Sequence, residues 1–345
     1  MRTARFRIRY LVRPEVLLAL GAILAVTFAA LRLISSRDYV FLPDRAHPVA
    51  PLVHVAGAHK TTGAGGIYFV DVVIRRASML EQLLGGPILS SGADLVPPAA
   101  VVAPGQTDAE EEQASLVEMR NSQQTAAAVA LRAAGKKVTT TESGAQVLGV
   151  DPTFPAARKL EPQDLIIAVD GKRVRSVSDL HQALVGRPVG TRFQVTFLRG
   201  TSRHTVSMPT VASAPGSKLG VVGIEVQQAE TFHLPIHVSI DAHNVGGPSA
   251  GLAFALQVLE DLGRNVDHGH KIAATGEIHS DGTVHPIGGI KQKTFGAREA
   301  GVDAFLVPAG SNAIDARKYA HGLRIIPVKN FQQALQALAT LPPNP

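Results

Sequence analysis

One run constrains this chain more than any other. From Val16 to Leu31, with Ile34 beyond, it reads VLLALGAILAVTFAALRLI, about 19 residues broken only by Arg32 near the end. A helix of that length nearly crosses a hydrocarbon core of about 30 Å, and Arg32 can snorkel to the interface. Arg2, Arg5, Arg7, Arg9 and Arg13 all precede the run, and such a leader favours a cytoplasmic N-terminus with everything after residue 36 outside. The expectation is a basic cytoplasmic tail over 1–14 and a transmembrane anchor over 15–36, hence a single-pass plasma-membrane protein with an extracytoplasmic body. A cleaved signal peptide is the alternative, but TFAALR places Phe28 where a cleavage site wants a small residue.

That leader also explains most of the formal charge of +6, from 34 Lys and Arg against 28 Asp and Glu. Beyond it no basic stripe with interleaved aromatics appears, so nucleic acid is not an expected partner. No cysteine is present, which excludes disulfides and thiolate zinc sites. The 345 residues, 45% of them hydrophobic, leave room for two compact domains with real cores.

After the anchor, two β-rich runs around a Gly/Thr turn predict a hairpin from Leu52 to Ile74. Gly57 with Lys60–Thr61 imitates a phosphate loop, but His59 stands where the pattern needs glycine, and no ATPase module is visible. Pro97, Pro98 and Pro104 mark an irregular stretch. A helix then follows, capped by Thr107 or Asp108 with Glu110 or Glu111 three residues on, with Leu116, Met119, Ala126, Ala130 and Leu131 on its apolar face and Gly135 as its stop.

Residues 137–211 read as strands around one helix: AQVLGV, DLIIAVDGKRV with a tight turn at Asp170–Gly171, the capped helix SVSDLHQALVG closing at Gly186, and FQVTFLRG. The stretch LEPQDLIIAVDGKRVRSVSDLHQAL resembles a PDZ domain, a family that captures extended peptides by strand addition beside its helix. No G-x-G-Φ carboxylate loop stands in GKKVTTTESGAQV, and the plain alternative is a spacer. A second α/β unit is expected from GVVGIEV onward.

That unit contains NVGGPSAGLAFALQVLEDLG. Pro248 suits a first helical position, so Ser249 should lie in the first turn of a helix running to Leu262, with Gly263 as its stop. There it meets the positive end of the helix dipole, and Gly246 and Gly247 can open main-chain N–H groups to an oxyanion. Alone, such a serine is as well read as a cap. Further on, Ile290, Lys293, Ala297 and Ala300 fall on one face of a helix, whereas Lys291 points elsewhere, into solvent. A lysine on an apolar face is desolvated, which lowers its pKa toward the range of a general base.

The order G-P-S-A-G, T-G-E, P-x-G-G-x-x-x-K resembles the proteolytic domain of Lon-type serine proteases, whose dyad is Ser and Lys. Upstream, LVEMRNSQQTAAAVALRAAG, the 52–74 runs and IHVSIDAHNVGGPSAG are similar to that domain's earlier elements. The resemblance implies Ser249 as nucleophile, Lys293 as base, Thr275 as the threonine that positions the lysine, and oxyanion contacts near Gly246 and Gly247. It implies an α+β fold, a Lon-type proteolytic domain (ribosomal protein S5 domain 2-like) split into 37–135 and 219–345 around the PDZ-like insert, as in membrane-anchored, PDZ-containing Lon-like proteases. The resemblance implies polypeptide substrates and leaves room for a homo-oligomer, since Lon domains commonly form rings; with no ATPase module and no metal-ligand set in the sequence, no cofactor, metal or ATP is expected. One departure is Gly246, where ATP-dependent Lon enzymes carry an acidic residue.

Two rivals stand beside this reading. Ser249 could work with His243 or His285 and Asp241 or Asp281, although no G-x-S-x-G is present. Alternatively the chain is a membrane-tethered, non-catalytic PDZ scaffold. DHGH at 267–270 offers two histidines in a polar loop, expected to be solvated rather than metal-bound.

Overall fold

The computed structural model describes residues 14–58, 65–85, 89–102, 107–214, 216–243 and 245–342. The arginines of the tail, the Lys60–Thr61 turn with His59, Pro104 and Asn244 lie outside these. Two compact units result: residues up to Leu42 together with Val73–Pro98, and Pro43–Val72 together with Ala99 onward.

In the first unit, helix α1 (Pro14–Leu33) contains a 19-residue apolar stretch, Glu15–Leu33, long enough to cross a membrane and with none of its side chains buried. Strand Ser35–Pro43 follows and lies between Val72–Ser78 and Asp94–Val96 in a three-stranded sheet. Helix α2 (Met79–Leu84) starts with a capping box in which Ser78 and Glu81 satisfy each other's main-chain N–H. The core here is slight, Val40, Ala77 and Ala93 with Leu42, Leu89 and Leu95 against them.

The second unit opens its long helix as expected: α3 (Asp108–Ala133) is capped by Thr107 and Glu110 and ends where Gly135 turns left-handed. A sheet follows in the order Ser202–Pro209, Arg192–Arg199, Leu165–Val169, Thr139–Val150, Ile224–His233, with helix α4 (Val177–Leu184) against it. It has its own core, built around Val147, Ile166, Leu180, Phe193 and Phe197. Strand Ile224–His233, expected to open the next α/β unit, instead pairs antiparallel with Thr139–Val150 along all ten of its residues. The physical cause is apolar: Val222, Ile224 and Val226 pack into this smaller core.

The larger core sits on a five-stranded sheet ordered His47–Pro48, Gly66–Phe69, Lys271–Ala274, Ala304–Pro308, Arg324–Val328, parallel except for its first pair. Side chains alternate across it. Ile272, Ala274, Ala304 and Leu306 face α3, helix α5 (Gly251–Asp261) and, further along the chain, the closing helix Phe331–Ala339; Ala273, Phe305 and Val307 face helices α6 (Ile290–Glu299) and α7 (Ser311–Tyr319). Among the described residues, the 52–74 runs do not pair with each other as the predicted hairpin. Gly66–Phe69 has both edges taken, by His47–Pro48 and Lys271–Ala274, so Val53–Val55 pairs with Val238–Ile240 instead.

Candidate active site

Gly247, at φ +78, swings the chain into Pro248, and a short 3-10 turn over Pro248–Ala250 delivers it to α5. Ser249 therefore sits two residues before the α-helix rather than within its first turn. Small residues are needed on both sides. A Cβ on Gly246 would collide with Ser115 Oγ of α3, and one on Gly251 would lie 2.7 Å from Ser122 Oγ and 2.9 Å from Ile278. Ser122 Oγ donates to the Pro248 carbonyl at 2.9 Å, pinning the turn to α3.

Opposite lies α6. Its first turn closes with Lys293 N–H on the Gly289 carbonyl at 3.0 Å, and Ile290, Lys293 and Ala297 are buried on one face as their spacing predicts. Gly296 lets the chain at Asp44 touch the helix, since a Cβ there would overlap the Asp44 carbonyl oxygen. Lys293 is 4% exposed, and its Nζ lies 2.7 Å from Ser249 Oγ as a hydrogen-bond donor. Burial pulls its pKa down to about 8, with the nearby Asp71 carboxylate pulling the other way. An amine so placed can, once neutral, take the hydroxyl proton.

Thr275 is fully buried, but its hydroxyl donates to the Ser249 carbonyl at 3.1 Å, joined there by Gly276 N–H at 2.8 Å. The resemblance gives it Lys293 as partner; the hydrogen bond it makes here is to the main chain of Ser249. Gly247 also has a partner within the fold. Its N–H donates to the Ser115 carbonyl at 2.8 Å, so it is committed to the fold and cannot serve an oxyanion. Lys291 is half-buried over the Tyr319 ring rather than solvated.

Asp71 was not legible as a site residue. It follows the sheet strand Gly66–Phe69, its Oδ1 is buried without a hydrogen-bond partner, and burial first, then the Asp44 charge, raises its pKa. The one available signal is an acid inside the apolar run IYFVDVV. Asp44, His47 and Asp71 bring ligand-type atoms within 4.8 Å of one another. His47 Nε2 and Asp44 Oδ2 already pair at 3.2 Å, and three donors fall short of the six or more that calcium or magnesium takes. Within the cluster the Asp44 charge raises the pKa of Asp71 and His47 lowers it.

The rival histidines lie elsewhere. His243 pairs with Asp241, both well exposed, and His285 stacks on His279 at 3.7 Å; neither has a recorded hydrogen bond to Ser249. Of DHGH, His268 is exposed, but His270 is buried, with Nε2 2.6 Å from the Pro342 carbonyl oxygen. A cavity of about 490 Å³ adjoins the Ser249 turn, walled by Ser122, Leu148, Gln227, Phe232, Pro248 and Ile278.

Residues 205–340 match the model of the Lon protease (S16) C-terminal proteolytic domain, with the serine turn and α6 both inside the match. The chain carries a Lon-type proteolytic domain. Residues 133–210 match the PDZ domain. Among relatives, Lon protease 1 of Sorangium cellulosum is 43% identical over 103 residues, 30% of this chain and 12% of that protein. Lon protease of Chloroflexus aggregans is 31% identical over 143 residues, 40% of this chain and 17% of its own length. The chain thus spans between 12% and 17% of these two Lon proteases. Among solved structures, the PDZ domain of an SdrC-like protein from Listeria monocytogenes is 23% identical, covering 25% of this chain and 90% of its own, with a TM-score of 0.24. The Lon-domain matches support a serine peptidase, and the PDZ match supports polypeptide binding.

Proposed function

We propose that the protein is a membrane-tethered, ATP-independent serine endopeptidase that cleaves unfolded or extended polypeptides with Ser249 as nucleophile and Lys293 as general base. The observation that carries this is the 2.7 Å contact between Ser249 Oγ and an amine that is 4% exposed. Neutral Lys293 Nζ takes the Ser249 proton as Oγ bonds to the peptide carbonyl carbon. The resulting ammonium returns the proton to the leaving amine, and water then releases the acyl-enzyme. With Gly247 committed to Ser115, the N–H groups of Gly246 and Ser249 are the ones assigned to the oxyanion.

Strand Ile224–His233 ends its sheet, and Gln228 on it bonds the main chain of Arg175 and Val177 at the start of α4. Peptides add along this edge beside α4. The same strand lines the cavity next to Pro248, which supports delivery toward the serine. The exposed apolar α1 serves as the anchor, with the N-terminus cytoplasmic and the catalytic body outside.

The test compares wild type with Ser249→Ala and Lys293→Ala, on an unfolded polypeptide without nucleotide and on the membrane and secreted proteomes. Both substitutions are expected to abolish cleavage and leave the same proteins uncut. Full activity in Lys293→Ala refutes the dyad. A cellular phenotype that survives in Ser249→Ala favours the scaffold.

A further inference from the structure

We infer that the first unit docks flat on the bilayer surface from which the chain emerges, with α2 in the headgroup layer and Arg32 facing lipid phosphate. This rests on reading α1 as a membrane span and adds a second, peripheral contact to it. The 19 residues Glu15–Leu33 rise ~28 Å, close to one hydrocarbon thickness, so Arg32 and Leu33 arrive at the interface. There α2 is fastened directly to the end of α1: Met79 N–H donates to the Ile34 carbonyl at 2.8 Å, and Ile34 N–H still bonds Ala30 at 3.0 Å. The first residue of α2 is thus one hydrogen bond from the residue that follows α1.

The side chains fit that depth. Leu33, Ile34, Met79, Leu83 and Leu84 are exposed, Leu83 by 72%, while the unit's buried core is little more than Val40, Ala77 and Ala93. A large exposed apolar set over so small a core calls for an apolar partner. Charge selects which one. A pocket of about 330 Å³ between the end of α1 and the corner before α2 is lined by Phe28, Arg32, Arg75, Arg76, Ser78 and Glu81. Arg75 is held by Glu81 through hydrogen bonds of 3.0 and 2.6 Å, and Arg76 bonds the Arg37 carbonyl and covers the Tyr39 ring. Arg32 has no recorded ion pair among the described residues. A cationic pocket rimmed by leucines at the foot of a span is complementary to anionic phospholipid.

The native chain has no cysteine, so single cysteines can carry an environment-sensitive dye in the full-length protein. Leu83→Cys reports the inference, Leu24→Cys in α1 reports the span, and Gln182→Cys, at an exposed position of α4, is the aqueous control. Each is reconstituted in phosphatidylcholine vesicles with or without phosphatidylglycerol, containing spin-labelled lipid as quencher. The Leu83→Cys dye should shift to the blue and be quenched at least threefold more than the control, and Arg32→Gln should weaken quenching only with phosphatidylglycerol present. A Leu83→Cys signal equal to the control, with Leu24→Cys quenched, overturns the docking and leaves the span intact. Unquenched Leu24→Cys overturns the span and the docking with it. A blue shift that follows protein density rather than lipid quencher assigns the face to a second copy and also overturns the inference.

Discussion

Raising the pH from 7 to 9 should increase kcat/KM about tenfold, through the ionisation of Lys293. Burial lowers this amine from 10.5 to about 8. Its neutral, proton-accepting fraction is then about 9% at pH 7 and about 91% at pH 9. An unperturbed lysine would be neutral about 300-fold less often at pH 7, which is the activation that burial provides. The profile should climb nearly tenfold per unit below pH 7 and level off above pH 9. Asp71→Asn sharpens the test. Its carboxylate favours the ammonium, so removing it moves the inflection below 8 and raises activity at pH 7. The assay is kcat/KM on an unfolded fluorogenic polypeptide from pH 6 to 10. A flat profile, or an inflection near 10.5 in wild type, would refute the reasoning. Stability carries the same signature. Between about pH 8 and 10.5 the unfolded chain binds the proton that the folded chain has released, so stability rises across that window by about 3 kcal/mol.

Other perturbations have equally definite outcomes. Thr275→Val removes the hydroxyl that holds the Ser249 carbonyl, so kcat should fall severalfold, about 1 kcal/mol, and Thr275→Ser should recover it. Gly296→Ala drives α6 away from Asp44; kcat should drop at least tenfold and the inflection should rise as water reaches the amine, both read from the pH profile. Arg199→Met strips two hydrogen bonds, both 2.8 Å, from Asp164, whose side chain is 1% exposed, and should cost about 3 kcal/mol in thermal or denaturant unfolding of the PDZ sheet.

Local chemistry was legible and distant pairing was not. The serine turn, the apolar row of α6 and the capping boxes at Thr107 and Ser176 each depend on residues a few positions apart, and the structure places them close to where their spacing points. The 52–74 runs were correctly β-forming, but alternation says which face a strand buries, not which partner it finds. Asp71 enters the site only because Gly66–Phe69 lies beside Lys271–Ala274, some two hundred residues later. Thr275 and Gly247 have partners that no local pattern specifies. Their residue types suited the expected roles, yet the hydrogen bonds they make, to Ser249 and Ser115, follow from how α3 and the sheet close on the turn.

Strand Ile224–His233 also decides how this protein can be taken apart. A fragment cut after residue 211 would leave Thr139–Val150 with an open edge, and bare strand edges recruit other chains into aggregates. A fragment begun at residue 219 would carry an orphan strand just upstream of the nucleophile turn. Anyone exchanging the PDZ unit for another must move 137–233 as one cassette, and the new seam then falls fewer than twenty residues before Ser249. The PDZ sheet and the Ser249 turn have so short a tether that one cannot be replaced without testing the other.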